Sequence, residues 1–415
     1  MSLRADLNQI TLALADALDL VGIDELAHGK RVGYMAFKCA ETLQLDKRGR
    51  ERLFNIGLLH DIGVSSSREH SHLVSELQWE NAQLHATEGA DIVRDFGPFK
   101  DFSDPIRYHH TPWKKLKNLS NVDMAAKLDG NLIFLVDRID AESASHYGID
   151  LLEHVDRIRD WVKGYSDNLF SPELVELFLN TSTSDAFWMQ LESPHLDRFL
   201  YDMERHSDQF ELEVDEIKQL ACIFAYVVDA KSKFTSKHSY GVANLAAHLG
   251  QLIGLKQSRI DMIEIAGLLH DIGKLRIPDE VLEKSGPLSG KEKQLMHRHS
   301  FETYQILRRI DGFSDLALWA SYHHETPDGH GYPFQRHGND LTQEARIIAV
   351  ADVFQALAQN RPYRAPMQAQ QIVSILFEMA NEGKLDNELV DLVNKNLEAC
   401  YQAAVDMSPA QPIAS

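Results

Sequence analysis

Apolar residues recur along most of this chain at steps of three and four, the spacing of one helix face. Strict apolar–polar alternation is scarce. Val242, Leu245, Ala246, Leu249 and Leu252 form one such series, and His238, four residues before Val242, shares their inward face. Met262, Ile263 and Ala266 carry a second helix to His270. Ser258-Arg259-Ile260-Asp261 reads as its opening capping box and Gly273 as its stop. Ser289-Gly290-Lys291-Glu292 reads as the capping box of the helix that carries His299. A long helix is expected over 211–229. Shorter ones are expected over 151–162 and 172–179, the latter followed by a polar turn over 180–184. The pattern predicts an all-α protein.

At 415 residues the chain is too long for one ordinary compact domain. Its 44% hydrophobic and 25% charged residues exclude a disordered chain. The formal net charge of −20 repels nucleic acid and anionic membrane, so neither DNA nor a membrane is expected as a partner. No run reaches the ~18–20 apolar residues that span a bilayer. The first 21 residues contain Asp6, Asp16 and Asp19 and lack a basic start, unlike a signal peptide. Cys39, Cys222 and Cys400 form no CxxC pair, which argues against disulfides or a thiolate zinc site and fits a reducing cytoplasm. The unusual count is histidine, at 20 residues.

Those histidines fall into an internal repeat. At an offset near 210, His28 matches His238, and His60-Asp61 in GLLHDIG matches His270-Asp271 in GLLHDIG. His85 then matches His299, His109-His110 matches His323-His324, and Asp137 matches Asp352. The copies span about 7–140 and 217–360. The recurring residues are of metal-ligand type and keep their order.

In the second copy, five imidazoles and two carboxylates suffice for two metal ions. The expected division gives one metal His238, His270, Asp271 and Asp352. The other takes the bridging Asp271 with His299, His323 and His324. If His270 and Asp271 share a helix, they diverge by about 100°, so one can ligate while the other bridges. Lys274, one turn on, is placed to hold a non-bridging phosphate oxygen.

His270-Asp271-Ile272-Gly273-Lys274, then His299, then His323-His324-Glu325-Thr326-Pro327-Asp328-Gly329-His330-Gly331-Tyr332-Pro333 resemble the HD-GYP subgroup of HD-domain phosphohydrolases. Asp352-Val353-Phe354 and Arg361-Pro362-Tyr363-Arg364 continue the pattern. The resemblance implies an all-helical HD fold and a bi- or trinuclear centre, commonly of iron or manganese, with magnesium or nickel as alternatives. It implies hydrolysis of a cyclic dinucleotide, cyclic di-GMP or 3′,3′-cyclic GMP-AMP, to a linear 5′-phosphorylated dinucleotide by a metal-bridging hydroxide, with Asp271 and Lys274 as catalytic residues. Trinuclear members carry a glutamate four residues before the first histidine. Phe234 stands there, so two metals are expected. Gln355 replaces the usual acidic residue three positions after Asp352. Gly329 and Gly331 permit a tight turn, Tyr332 can stack or hydrogen-bond, and Pro333 stiffens the turn. Gly331, Tyr332, Pro333, Arg361, Arg364 and Lys284 are the expected substrate contacts, with helix-end capping as the competing role of the two arginines.

On this reading the chain holds two tandem HD-type domains: a degenerate one over 1–140 and a catalytic one over 211–400. A helical connection over 141–210 joins them, and a flexible tail covers 401–415. The first copy keeps His28, His60, Asp61, His85, His109, His110 and Asp137 as a vestigial metal site. Val64 replaces the lysine and Thr111-Pro112-Trp113 replaces the GYP loop, so no cyclic-dinucleotide hydrolysis is expected there. A homodimer, or a signalling partner bound through the first domain, is the expected protein contact. Two alternatives remain: a cyclic-dinucleotide receptor that does not cleave, and a phosphohydrolase for mononucleotides.

Overall fold

The structure, a computed structural model, describes residues 2–20, 27–64, 82–205, 209–231, 238–359 and 365–406. The expected arginines 361 and 364, and Phe234, lie outside the described residues. The chain divides into two units, Asp6–Gln209 and the residues from Phe210 onward together with residues 2–5. Both are helical, as the spacing of apolar residues required. The described strands are Ser2–Asp6 and Gln209–Glu213, which pair with each other.

In the second unit the His238–Ile253 helix packs on Gln257–Leu269 and on Gln343–Ala358, and Gly290–Leu307 packs on the 3-10 turn Ile272–Arg276. Val242, Leu245, Ala246 and Leu249 are buried, the face their spacing selected. Phe224, Phe313, Trp319 and Phe354 fill the core; burying each such side chain is worth roughly 1.5–3 kcal/mol. In the first unit, His28–Thr42 packs on Lys47–Leu59, and Met124–Ser143 packs on His28–Thr42 and Ser103–Tyr108. The connection expected over 141–210 falls, in its described residues up to Gln209, within this unit, where Leu151–Gly164, Pro172–Thr181 and Ser193–Arg205 are helices.

Local signals fared unevenly. Ser289 and Glu292 form the expected box: the Glu292 N–H donates to Ser289 Oγ (3.4 Å), and the Ser289 N–H donates to Glu292 Oε2 (2.6 Å). The box expected at Ser258 does not form. The helix starts at Gln257, so Ser258 already lies in its first turn. The long helix expected over 211–229 is the strand Gln209–Glu213 followed by the helix Val214–Lys231. Residues 401–405, expected in a flexible tail, continue the Leu397–Val405 helix, with Ala404 fully buried.

Candidate active site

Each residue of the second set sits at an element end or on a buried helix face. His238 opens its helix, and His299 and Asp352 lie within theirs. His323 and His324 follow the Ser314–Ser321 helix. His270 and Asp271 do not share a helix as expected. The helix ends at Leu269, His270 is its C-cap, and Asp271 has left helical geometry (φ −101°, ψ 6°). The 3-10 turn that follows meets the His299 helix through Gly273. A Cβ there would collide with the His299 carbonyl oxygen.

The seven side chains converge. Asp271 turns one oxygen to each of two groups. Its Oδ2 lies 3.2 Å from His270 Nε2 and 3.5 Å from His238 Nε2. Its Oδ1 lies 3.6 Å from His299 Nε2 and 3.8 Å from His323 Nε2. Asp352 Oδ1 faces His238 Nε2 at 3.2 Å and His270 Nε2 at 3.9 Å. His299, His323 and His324 have ring nitrogens clustered closely enough to share one ion, as have His238, His270 and Asp352.

The fit to cations follows from proton bookkeeping. His270, His299 and His323 each place Nδ1 against the carbonyl three residues back: Gly267 at 2.7 Å, Met296 at 2.5 Å and Ala320 at 2.6 Å. A carbonyl only accepts, so Nδ1 carries the proton and Nε2 keeps its lone pair. His238 donates its Nδ1–H to Gln355 Oε1 at 2.5 Å. The cage is therefore lined by acceptors. His299 Nε2 and His323 Nε2 stand 3.1 Å apart, and His238 Nε2, His270 Nε2 and Asp271 Oδ1 are buried without a hydrogen-bond partner. Lone pairs this close in a buried site repel unless a cation lies among them.

Electrostatics agree. Burial alone would raise the Asp271 carboxyl, but His270 and Lys274 outweigh it and hold the group well below the usual range. Burial, then the His324 charge, pushes His299 down to about 3; burial takes His324 to about 4. Both imidazoles are thus neutral and free to ligate. The Lys274 ammonium pairs with Asp271 Oδ2.

Beside the cage runs the glycine-rich turn. Gly329 has φ +79°, and a Cβ on Gly331 would meet the Glu325 backbone. Tyr332, joined to Pro333 by a cis peptide bond, stacks flat on His297 (ring centroids 3.7 Å, 5°) and lies 4.8 Å from the His324 ring. Buried Glu325 anchors the turn, its carboxylate accepting from the Phe334 N–H (2.6 Å) and the Arg336 N–H (2.8 Å). Phe334 packs against Tyr304 and Tyr322. Lys284, expected at the substrate, instead binds Glu292 at 2.6 and 2.8 Å.

Sequence reasoning missed three polar groups. Glu325 was visible as the residue after the double histidine, but only the fold shows which N–H groups it holds. In the sequence Gln355 stands out only as a replacement for the usual acidic residue; the fold puts its amide oxygen behind His238 Nδ1. Asp229, buried on the Val214–Lys231 helix, accepts from Ser239 Oγ at 3.2 Å. Burial, then the charge of Asp271, pushes its carboxyl up to about 7. The first-copy residues His28, His60, Asp61, His85, His109, His110 and Asp137 also converge, within their own unit.

The HD-domain family matches residues 26–142 and, through a second HD-domain description, residues 223–389. The chain is 36% identical over 414 residues to 3′3′-cGAMP-specific phosphodiesterase 1 of Vibrio cholerae, covering 98% of this chain and 96% of that protein. It is 39% identical over 203 residues to the cyclic di-GMP phosphodiesterase response regulator RpfG of Xanthomonas campestris, covering 48% of this chain and 52% of that one. The crystal structure of a cyclic GMP-AMP specific phosphodiesterase of Vibrio cholerae shares the fold, with a TM-score of 0.64 at 23% identity over 99% of both chains. With two HD repeats, the cage and the glycine-rich turn in place, and likeness to a relative along nearly its whole length, the chain belongs to the HD-GYP phosphodiesterases, built here from two HD domains in tandem.

Proposed function

We propose that the second repeat hydrolyses a cyclic dinucleotide, with 3′,3′-cyclic GMP-AMP favoured over cyclic di-GMP. The observation that carries this is Asp271, whose two oxygens face two separate imidazole groups in a cage of acceptors. The preference rests on the full-length likeness to the cGAMP-specific relative, against half-length likeness to the cyclic di-GMP one.

Two divalent cations, iron or manganese, fit the donors. His238, His270, Asp271 and Asp352 would hold one; Asp271, His299, His323 and His324 would hold the other. When bound they supply Lewis acidity and acidify water. The chain's own groups do the rest. Lys274, within reach of Asp271, balances charge on a non-bridging phosphate oxygen. Tyr332 offers a ring face beside the cage for a base, with the turn fixed by Glu325. Water adds to phosphorus, one P–O ester bond breaks, the freed 3′ oxygen takes a proton, and a linear 5′-phosphorylated dinucleotide leaves. The surface charge of −20 opposes a dianionic substrate only weakly, because screening limits its reach to about 8–10 Å. No described helix is long and apolar enough to cross a membrane, and the proposed site of action is the cytoplasm, where the three free cysteines are at home.

The test is product analysis. Iron- or manganese-loaded protein is incubated with cyclic GMP-AMP, cyclic di-GMP and nucleoside monophosphates. A linear dinucleotide is expected, formed faster from cyclic GMP-AMP, and Asp271→Ala should cut turnover at least ~100-fold. Preferential cleavage of monophosphates, or binding without cleavage, would select the other two readings.

A further inference from the structure

Outside the histidine–aspartate cages of the two repeats, the described residues bring another set of metal-ligand side chains together. His146, Asp150 and His154 offer two ring nitrogens and a carboxylate oxygen that all lie within 4.8 Å of one another. They recur every four residues, from the 3-10 turn Ala144–His146 into the start of the Leu151–Gly164 helix. None of the three belongs to the internal repeat, and the proposed reaction uses none of them.

The local backbone sets their convergence. Asp150 stands just before the helix, where an aspartate ordinarily accepts from the N–H groups of the first turn. Its side chain makes no such bond. Oδ1 lies instead 2.7 Å from His146 Nδ1, and Oδ2 lies 3.2 Å from His154 Nε2. The Asp150 N–H bonds back to the His146 carbonyl at 3.2 Å, which folds His146 over the helix start. The two imidazoles then stack, with ring centroids 3.7 Å apart and planes 27° from parallel. Forgoing the cap costs about 1 kcal/mol, which the two imidazole contacts offset.

The spacing suits a borderline divalent ion. Zinc holds nitrogen and oxygen at about 2.0–2.2 Å, which puts the ligand atoms of a tetrahedron roughly 3.3 Å apart. The two nitrogen–oxygen separations, 2.7 and 3.2 Å, already lie near that edge. Two imidazoles with one carboxylate favour zinc, nickel or copper over magnesium and calcium, which take oxygen. To ligate, each neutral ring gives the nitrogen that now faces Asp150, and its proton moves to the other nitrogen. His146 Nε2 meets Arg157 Nη2 at 3.4 Å, a long contact, and exposed Arg157 also pairs with Glu142. That guanidinium can turn toward Glu142, which answers its charge and leaves the Asp150 carboxylate to the ion. All three donors are half-buried, so the fourth position of a tetrahedral ion is open to water.

We propose that His146, Asp150 and His154 form a zinc site on the first unit, made of residues that neither cage uses. Its place gives it a role. Tyr147, the residue after His146, donates to Asp140 Oδ1 at 2.5 Å, and the Arg31 guanidinium lies 4.4 Å over its ring. Asp140 in turn holds His28. An ion that ties His146 to the helix at His154 fixes the segment carrying Tyr147, and so braces the buried polar network of the first repeat. The site stands whether or not the second repeat turns over.

The test is the zinc content of the full chain at equilibrium with buffered, micromolar free zinc, read by elemental analysis. His146→Gln and His154→Gln each leave every cage ligand in place, so the difference from the unaltered protein counts this site alone. Each variant is expected to carry one zinc fewer per chain. Asp150→Asn keeps a residue that can cap the helix and should lose the same ion. Circular dichroism checks that each variant is folded. His195→Gln removes an exposed histidine elsewhere in the same unit and should leave the content unchanged. Equal zinc content in the unaltered protein and the His146, Asp150 and His154 variants overturns the proposal and leaves a hydrogen-bonded triad that takes no ion. An equal loss in His195→Gln also overturns it, because the zinc is then adventitious surface binding only.

Discussion

The residue that separates the two cages most simply is the acceptor behind the first histidine. In the first repeat it is Asp140, a carboxylate; in the second it is Gln355, a neutral amide, 2.5 Å from His238 Nδ1. The position is equivalent, three residues after Asp137 and Asp352. Both side chains orient the imidazole, but a carboxylate makes it a stronger donor to a metal. Removing such a partner typically costs 10–100-fold in affinity, so Gln355→Ala should weaken manganese binding at the second cage by about 10-fold or more. Gln355→Glu should restore or exceed the original affinity. Titration with manganese in an Asp61→Asn background reads both. Equal affinities for all three proteins would show that Gln355 only fills space.

At the scale of elements, the centre depends on how closely the turn after His270-Asp271 can approach the helix that bears His299. Gly273 allows that approach, and Gly63 allows its counterpart against the His85 carbonyl. The GLLHDIG motif thus couples two ligands to a contact that brings in a third. The Thr303 Oγ1 closes the junction, accepting from the Gly273 N–H at 3.0 Å and donating to the His270 carbonyl at 3.1 Å. Gly273→Ala should push the two segments apart and separate His299 from Asp271. The expected result is loss of at least half of the second-cage metal, and a thermal midpoint lowered by an overpacking cost of about 1–3 kcal/mol. Unchanged metal content and stability would mean that the turn can shift without moving its ligands.

For the whole molecule, the buried histidines set how the metal-free protein responds to acid. Burial holds His60 and His324 at about 4 and His299 at about 3, against 6.5 when exposed. Between roughly pH 4 and 6.5 the unfolded chain binds protons at these three positions that the folded chain refuses, so stability rises with pH there. His28 and His270 are raised despite burial, by Asp137 with Asp140 and by Asp271 respectively. Without a cation each binds a second proton at the Nε2 that a metal would otherwise take, so toward pH 6.5, where the unfolded imidazoles release theirs, these two oppose the slope. Asp229, at about 7, opposes with one proton. The balance predicts that the urea midpoint of metal-free protein falls as pH is lowered from 6.5 to 4.5. A flat or rising midpoint would contradict it. Bound metal should flatten the profile above pH 5, because each ligand is then held deprotonated.

The linear order of residues was enough to read the helical class, the tandem repeat and the identity of fourteen cage side chains. Apolar spacing reports which face each helix buries, and a duplicated motif reports its own copy. Local order could not say that the helix breaks between Leu269 and Asp271, which lets one carboxylate face two groups at once. Nor could it say that Lys284 is spent on Glu292, or that the described residues of the expected connection, up to Gln209, fall within the first unit. Above all, it could not assign protons. Which ring nitrogen keeps its lone pair is fixed by a carbonyl three residues back or by a partner more than a hundred residues away. Only the packed chain brings those partners into range.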